Sequence, residues 1–292
     1  MRYDEMTSGL IIGCGYLGSR VAEHWRETNC DVFALTRSTE TADRFSTFGW
    51  NPVVGDITKP DSIASFPEVD TVLLSVGFDR HAGYDIHTAF VEGIKNTIAK
   101  LPSGISRLIY ISSTGVYSQA NGEWVDEESA CEPQRPGGVA CLEAERFLQQ
   151  SEFSDRLVIL RLAGIYGPER IPRLASIQKG EPISSPRDGY INLIHVDDAV
   201  QAVAAASQYE KTPVTFVIGD DEPVVRSEYF NFVAQKLNAP PVCFTEPEAD
   251  SHVVSRAMAD KRVKNSRMRN ELGIDLTYPT YREGVTAILE ST

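Results

Sequence analysis

The feature that most constrains this chain is a glycine-rich turn near its start, with the spacing Gly13-x-Gly15-x-x-Gly18. An apolar segment, residues 9–13, leads into the turn, and residues 17–26 follow it with the periodicity of a helix. A chain that turns sharply from a strand into a helix needs residues without side chains, because backbone atoms approach closely there. The pattern therefore predicts a β-strand, a tight turn and an α-helix in immediate succession.

Each glycine of the turn has a separate physical role. Gly13 permits the tight turn, Gly15 lets backbone approach a phosphate, and Gly18 allows the helix to pack closely on the strand. The start of the helix adds free N–H groups and a partial positive charge. Glycines alone could merely shape a turn, but with this strand and helix around them they predict a pyrophosphate site for a dinucleotide. The expected binding residues are Gly13, Gly15, Tyr16, Leu17 and Gly18.

Short apolar runs alternate with helical segments along more than half of the chain. The runs that we interpret as buried strands are residues 9–13, 31–35, 52–55, 71–76, 107–111, 157–162 and 215–218. Residues 86–101 have apolar side chains at helical spacing. Strands that are separated by helices pair in parallel. We therefore expect an α/β protein with a doubly wound, Rossmann-type parallel sheet.

The pattern changes after Tyr166, where four prolines fall between residues 168 and 186. Residues 198–207 are again helical, and Asp197 is suited to cap the start of that helix. We predict a dinucleotide-binding domain and a smaller, mixed substrate lobe. The expected bounds are residues 1–167 for the domain, with elements near 191–218 returning to it, and residues 168–292 for the lobe.

The residues that follow the second strand bear on which dinucleotide is bound. A site for NAD usually has an acidic residue here, which binds the ribose 2′-hydroxyl. This chain has Thr36, Arg37 and Ser38 instead, and a guanidinium can pair with the 2′-phosphate that a carboxylate would repel. We therefore favour NADP(H) over NAD(H), although Arg37 could be an ordinary exposed loop residue. Asp56, after the third strand, could bind the adenine amino group or belong to a turn.

Charge and cysteine content narrow the partners and the compartment. With 28 basic and 41 acidic residues the net charge is −13, which disfavours nucleic acid and anionic membranes as partners. No apolar run reaches the roughly 20 residues that span a bilayer, and no secretion signal is evident. The five cysteines are scattered and form no C-x-x-C pair, so we expect no disulfide framework, no metal site and a cytoplasmic location. We interpret the basic residues between 261 and 269 as a solvated helix face.

Four segments spread over the chain have a familiar composition. They are YISSTGVY at residues 110–117, RLAGIYGP at 161–168, IHVDD at 194–198 and YREG at 281–284. These segments resemble the motifs of the extended short-chain dehydrogenase/reductases, in the NAD-dependent epimerase/dehydratase group. The resemblance implies the fold of that group, a nicotinamide dinucleotide cofactor and a small hydroxyl- or carbonyl-bearing substrate, such as a sugar nucleotide.

The resemblance also locates a departure from the usual active site. Ser113 matches the catalytic Ser/Thr of the family, which would hydrogen-bond the substrate oxygen that changes charge; satisfying backbone at the strand end is the alternative. The acid/base Tyr of the family falls at Gly137 and its Lys at Cys141, and no Tyr-x-x-x-Lys occurs elsewhere. Cys141 is then either a small buried residue or a catalytic thiol. The chain thus resembles the atypical subgroup that has Gly-x-Gly-x-x-Gly and lacks most of these catalytic residues.

Three further side chains could supply or move a proton. His195 is a histidine, the residue type whose ordinary pKa lies near neutrality, and Tyr117 and Tyr166 follow strand ends at the edge where open α/β sheets bind ligands. Each could equally be a packing residue.

Two hypotheses on function remain: an enzyme for redox, epimerase or dehydratase chemistry on a small molecule, and a non-catalytic protein that senses the dinucleotide or its redox state. A homodimer is compatible with both.

Overall fold

A computed structural model describes residues 6–79, 81–245 and 260–291, and its central feature is a seven-stranded sheet. The strands, numbered by their place in the chain, lie in the spatial order β12 (Val214–Ile218), β7 (Leu157–Leu162), β5 (Arg107–Ser113), β4 (Thr71–Leu74), β1 (Ser8–Ile12), β2 (Asp31–Thr36) and β3 (Asn51–Val54). The pairings of β1 with β2 and β4, of β2 with β3 and of β4 with β5 are parallel. The predicted α/β fold with a doubly wound, Rossmann-type sheet is confirmed.

Helices connect the strands of this sheet. They are α1 (Tyr16–Glu27), α2 (Thr39–Thr47), α3 (Gly93–Ile98), α4 (Pro136–Leu148) and α6 (Val196–Gln208). The segment predicted as one helix over residues 86–101 forms a π-helix, Thr88–Glu92, that continues into α3. Short 3-10 helices lie at Pro60–Ser62, Thr114–Val116 and Ser154–Arg156.

The apolar strand segments form the main core. Leu10 and Ile12 of β1, Val72 and Leu74 of β4 and Leu108 of β5 are fully inaccessible to solvent. Parallel strands with helices on both faces bury both sides, which explains why these segments are continuous apolar runs rather than alternating ones. The carboxyl ends of β1 and β4 therefore lie side by side on a rigid base, and the chain leaves β1 there to enter the glycine turn.

The described residues divide into two compact units. The sheet unit comprises those of residues 1–113, 136–161 and 200–216, and the second unit comprises those of 114–135, 162–199 and 217–292. The elements of the second unit are β6 (Glu123–Val125), β8 (Gly164–Tyr166), α5 (Leu174–Gln178), β9 (Ile183–Ser184), β10 (Tyr190–Ile191), β11 (Leu193–His195), β13 (Val224–Val225), α7 (Arg226–Lys236), β14 (Phe244–Thr245), β15 (Lys261–Val263), a π-helix at Met268–Leu272 and α8 (Tyr281–Glu290).

This division differs from the sequence-based boundary at residue 167. Residues 114–135 and 162–167 belong to the second unit. The reason is strand pairing across long sequence separations, because β6 pairs with β15 and β8 pairs with β11. That the second unit binds substrate stays a prediction.

Two local predictions were wrong. Helix α6 begins at Val196, so Asp197 lies inside its first turn and is not a cap. The helix starts earlier because the Asp197 backbone N–H donates to Nδ1 of His195, at 3.3 Å. The prediction of a solvated helix face is wrong for two of the basic residues between 261 and 269, since Lys261 is a buried residue of β15 and Arg262 donates from Nε to the Gly122 carbonyl at 2.7 Å. Pairing with β6 places Lys261 and Arg262 in a strand.

Candidate functional site

The glycine turn has the conformation that its sequence predicts. Gly13 has a φ of +95°, and a Cβ atom there would lie 2.5 Å from the carbonyl oxygen of Ser75. The Gly15 N–H donates to the Gly13 carbonyl at 2.9 Å, which closes the turn. An L-residue at position 13 would meet both an unfavourable φ and the backbone that follows β4. Glycine is therefore required at this position by the fold itself.

Gly18 is required for a different reason. It lies in the first turn of α1, where a Cβ atom would stand 2.5 Å from the Gly13 carbonyl oxygen. Because glycine has no Cβ atom, α1 can start directly against the end of β1. The Ser75 hydroxyl also donates to the Gly13 carbonyl, at 2.8 Å, and joins the turn to the end of β4. Sequence reasoning missed Ser75, because nothing local marks a partner 62 residues away.

Gly15 is the open position of the turn. A Cβ atom at Gly15 would have no atom within 4 Å, so its missing side chain leaves free space above the backbone. Gly15 caps α1 without a side-chain hydrogen bond, and the first turn of α1 contains no acidic residue. The partial positive charge of the helix start is thus not neutralised by the helix's own side chains. A side chain would clash at Gly13 and Gly18, whereas the space above Gly15 is free. We call this arrangement of residues 13–18 the glycine cradle, and its shape and partial positive charge suit a diphosphate.

Tyr16 and Leu17 continue this cradle into α1. Leu17 is buried, whereas the Tyr16 ring lies under the guanidinium of Arg20, with 4.1 Å between the guanidinium carbon and the ring centre. Arg20 also donates from Nη1 to the Tyr16 carbonyl at 2.8 Å. The Arg20 guanidinium is therefore held against the ring of Tyr16, close to the start of α1 and to the glycine turn. The binding roles of these residues stay predictions.

Arg37 is anchored rather than free at the end of β2. Its Nη1 donates to the Tyr84 hydroxyl at 2.9 Å, and its Nη2 donates to Oδ2 of Asp79 at 3.2 Å. The pKa of Asp79 is lowered first by the His81 backbone N–H and then by Arg37. The guanidinium is about half exposed and keeps further N–H groups beyond these two bonds. Arg37 is thus held in one place while part of it remains accessible.

The neighbours of Arg37 have structural uses. The Ser38 hydroxyl accepts the Thr41 N–H at 3.3 Å and so caps α2, and the Thr36 hydroxyl accepts the Ser38 N–H at 3.3 Å. Asp56 accepts both the N–H and the hydroxyl of Thr58, at 2.9 and 2.8 Å, which makes it a turn residue. Contact of Thr36, Ser38 or Asp56 with a cofactor stays a prediction.

The α4 face that packs on β5 contains the two positions where the resemblance expects Tyr and Lys. Gly137 lies in the first turn of α4 and offers no side chain. Cys141 is buried, hydrogen-bonds Tyr110 of β5, and has its pKa raised to about 12 by burial. A thiol with that pKa is neutral at physiological pH, so it is neither a ready nucleophile nor a cation. The geometry agrees with a small buried residue. Ser113 ends β5 and is half-buried.

Glu145 lies one helical turn beyond Cys141, and its side chain is also buried. It is 1% exposed, and its Oε2 lies 2.6 Å from Nη2 of Arg161, on β7. The Ser112 hydroxyl donates to Oε1 of Glu145. A buried carboxylate needs both a counter-charge and hydrogen bonds, and this one has them. Sequence reasoning missed the cluster, because a Glu in a helix is usually exposed and its partners belong to other elements.

The other candidates for proton transfer are buried in the second unit. Tyr117 and Tyr166 are at most 1% exposed. The Tyr166 ring packs edge-on against His195, with 5.2 Å between ring centres, and His195 lies 3.9 Å from the ring of Tyr278. Burial raises the pKa of Tyr166 far above its ordinary value. This environment is one of packed aromatic rings, and a catalytic role for Tyr117, Tyr166 or His195 stays a prediction.

Two further searches concern the ranges that the structure describes. Within them, no helix combines the length and apolarity that a membrane crossing requires. Over the same ranges, no three His, Cys, Asp or Glu side chains are grouped so that they could hold a metal ion.

A parallel sheet with a glycine cradle where β1 meets α1 defines the class of Rossmann-type, dinucleotide-binding folds. The sequence model of the NAD dependent epimerase/dehydratase family matches residues 10–219. The chain belongs to this family.

Two curated relatives are similar over most of their length. The chain is 27% identical to protein YeeZ of Escherichia coli over 222 residues, which are 75% of each chain. It is 26% identical to 3-diazoavenalumate denitrifying reductase of a Streptomyces species over 212 residues, covering 66% of this chain and 69% of the reductase.

Solved structures agree with the fold. A structure from Methylobacillus flagellatus, described as a candidate NAD-dependent epimerase/dehydratase, superimposes with a TM-score of 0.80 and 27% identity, covering 98% and 99% of the two chains. The enzyme WbmG of Bordetella bronchiseptica, in complex with NAD and UDP, gives a TM-score of 0.78 at 20% identity, covering 98% of this chain and 94% of that one. The likeness to WbmG shows the fold alone.

Proposed function

We propose that this protein is an NADP(H)-preferring enzyme that acts on a hydroxyl or carbonyl group of a small molecule. The observation on which the proposal rests is the open backbone above Gly15, flanked by two glycines that cannot be replaced without a clash. A pyrophosphate at that place would meet the start of α1, which has no acidic residue in its first turn. Family membership and the NAD held by WbmG, a protein of the same fold, support a nicotinamide dinucleotide.

The preference for NADP(H) rests on Arg37. Its guanidinium is held by Tyr84 and Asp79, so little side-chain entropy is lost when a phosphate binds. The negative charge of Asp79 repels the 2′-phosphate of NADP(H) and weakens its binding. The accessible N–H groups of Arg37 attract the 2′-phosphate and strengthen its binding. A charge-assisted hydrogen bond contributes about 1.5–3 kcal/mol, which exceeds the repulsion between exposed charges in water. We therefore propose that the 2′-phosphate binds at Arg37.

Catalysis at this site would use few protein groups. A bound nicotinamide ring would give or accept a hydride at the reacting carbon of the substrate. The Ser113 hydroxyl would donate a hydrogen bond to the reacting oxygen, and it needs no shifted pKa for that role. Neither Gly137 nor the buried, neutral thiol of Cys141 can deliver a proton, so the proton comes from another group.

The absence of side-chain chemistry at Gly137 and Cys141 favours a second candidate function. The same cradle could bind the dinucleotide without turnover and report its concentration or redox state. Enzyme and sensor share the binding step and differ in what Ser113 does. Binding and turnover must therefore be measured separately.

The cofactor preference is tested by titrating NADPH and NADH into purified protein and following reduced-nicotinamide fluorescence. Arg37→Ala is expected to weaken NADPH binding about tenfold to a hundredfold and to leave NADH binding nearly unchanged, because only one of them has the 2′-phosphate. Asp79→Asn is the matched control: it removes the opposing carboxylate, so NADPH affinity should rise. Equal losses for both nucleotides in Arg37→Ala would overturn the preference.

Turnover is tested with a panel of small alcohols, aldehydes, ketones and sugar nucleotides. Ser113→Ala is expected to lower turnover about a hundredfold or more with cofactor affinity unchanged. Ser112→Ala, at the neighbouring position, serves as the comparison, since the buried Ser112 hydroxyl donates to Glu145. Tight NADPH binding with no turnover on the whole panel would reject the enzyme and support the sensor.

A further inference from the structure

Arg20 is a cation beside the glycine cradle that the proposed chemistry does not use. Residues 8–22 comprise β1, the cradle and the first half of α1, and Arg20 is their only charged residue. Side chains on a helix lean toward its N-terminus, so a side chain in the second turn of α1 reaches back toward the glycines. The bond of 2.8 Å from Nη1 of Arg20 to the Tyr16 carbonyl has that direction.

The Arg20 guanidinium is held in place by the residue that follows the open glycine. It lies over the ring of Tyr16, with 4.1 Å between the guanidinium carbon and the ring centre. A planar guanidinium that stacks on a ring keeps the N–H groups at its edge available. The bond to the Tyr16 carbonyl uses one of five N–H donors. A side chain that is fixed beforehand loses less entropy when a ligand binds.

Arg20 differs from other arginines of the chain in its ion pairing. Arg37, Arg161 and Arg282 each pair with a carboxylate, at 2.6–3.2 Å. Among the residues that the structure describes, no carboxylate forms such a pair with the half-buried Arg20. The space above Gly15 is open, because a Cβ atom there would have no atom of Arg20 or of another side chain beyond its chain neighbours within 4 Å. A diphosphate in this space would bring the negative charge that Arg20 lacks.

We propose that Arg20 is a cofactor-binding residue, whose guanidinium pairs with the diphosphate that the glycine cradle accepts. Backbone N–H groups supply only partial charges, and a guanidinium adds a full charge and charge-assisted hydrogen bonds. The inference rests on the proposed function, since the diphosphate is that of the nicotinamide dinucleotide. The two arginines then recognise different phosphates: Arg20 the diphosphate that NADH and NADPH share, and Arg37 the 2′-phosphate that only NADPH has.

The test titrates NADH and NADPH into the full chain and follows reduced-nicotinamide fluorescence. Arg20→Met is expected to weaken the binding of both nucleotides by about tenfold or more, and Arg20→Lys, which keeps the charge, by less. Added sodium chloride should weaken binding to the native chain more than binding to Arg20→Met, because salt screens the lost charge. Arg26→Met is the matched control: Arg26 is exposed on the same helix, about 15 Å from its start, and both affinities should stay unchanged.

Two results would reject this role for Arg20: unchanged affinities in Arg20→Met, or a loss confined to NADPH. Either would leave the proposed function standing, because the native chain would still bind the dinucleotide. If Arg20→Met does not fold, Arg20→Gln replaces it.

A second measurement decides the role of Arg20 if the native chain binds neither nucleotide. Thermal unfolding is compared in sodium pyrophosphate and in sodium chloride at equal ionic strength and pH. Pyrophosphate is expected to raise the Tm of the native chain and of Arg26→Met but not of Arg20→Met, because a ligand that binds only the folded state stabilises it. That result without nucleotide binding would keep the anion site and reject the proposed function. No rise in the native chain, together with no nucleotide binding, would reject both.

Discussion

In the glycine turn, residues 13–18, the atoms offered to a ligand belong to the backbone, whereas on the α4 face that packs on β5 they would belong to side chains. The turn is closed by the Gly15 N–H, which donates to the Gly13 carbonyl, and it leaves the space above Gly15 open. The α4 face has Gly137, Cys141 and Glu145, and the last two are buried. Within one unit, the turn thus presents bare backbone, whereas the α4 face presents a glycine and two buried side chains.

The difference shows why substitutions in the glycine turn are expected to disturb the fold more than substitutions on the α4 face. A substituent at Gly13 or Gly18 would collide with backbone at 2.5 Å, so the fold and the ligand site depend on the same atoms. On the α4 face, side chains can be exchanged while the helix stays packed, provided that polar groups find partners. Glu145 illustrates this, because Arg161 and Ser112 satisfy it inside the core.

The largest effect on this comparison is expected from Arg161→Met, which leaves the Glu145 carboxylate buried without its cation. We expect a loss of about 3–5 kcal/mol in the free energy of unfolding, measured by urea denaturation. The double variant Arg161→Met/Glu145→Leu should recover most of that loss, because no buried charge remains. A loss of the same size in the double variant would mean that the ion pair is not what the α4 face depends on.

A smaller effect is expected from Gly18→Ala. Its Cβ would stand 2.5 Å from the Gly13 carbonyl oxygen, and forcing atoms into a packed site costs about 1–3 kcal/mol. The shift of α1 away from β1 should also abolish dinucleotide binding. Urea denaturation measures the first effect and fluorescence titration with NADPH the second.

Gly15→Ala is the matched control within the same turn. A Cβ there meets no atom within 4 Å, so the free energy of unfolding should change by less than about 0.5 kcal/mol. Dinucleotide affinity should still fall at least about tenfold, since the methyl group occupies the space above the backbone. A variant that binds NADPH as well as the native chain would place the pyrophosphate elsewhere.

The smallest effect is expected from Cys141→Ala, which tests whether the α4 face has a catalytic thiol. Because the pKa of Cys141 is raised to about 12, turnover should be unchanged, and the free energy of unfolding should fall by about 1 kcal/mol for the lost packing. In the native chain, iodoacetamide at about pH 8 should modify the exposed Cys243 and leave Cys141 unmodified, as read by mass spectrometry. Loss of turnover in Cys141→Ala would make the thiol catalytic.

Sequence reasoning succeeded where the relevant residues are neighbours in the chain. It located the strands of the sheet, the helix after the glycine turn and the need for glycine at positions 13 and 18. It failed at Asp197, because the helix begins at Val196, two residues earlier than a cap at Asp197 predicts, and the His195 ring accepts the Asp197 N–H. It also left Arg37 ambiguous, since Asp79 and Tyr84 are 42 and 47 residues away.

The sequence by itself determined the alternation of strands and helices and the bare backbone at residues 13–18, because these follow from local periodicity and from the absence of side chains at fixed spacings. Only the tertiary structure decided the environment of individual polar groups. Glu145 pairs with Arg161, and Arg37 pairs with Asp79. The physical reason is that burial and charge pairing depend on residues that become neighbours only when the sheet and the second unit have formed.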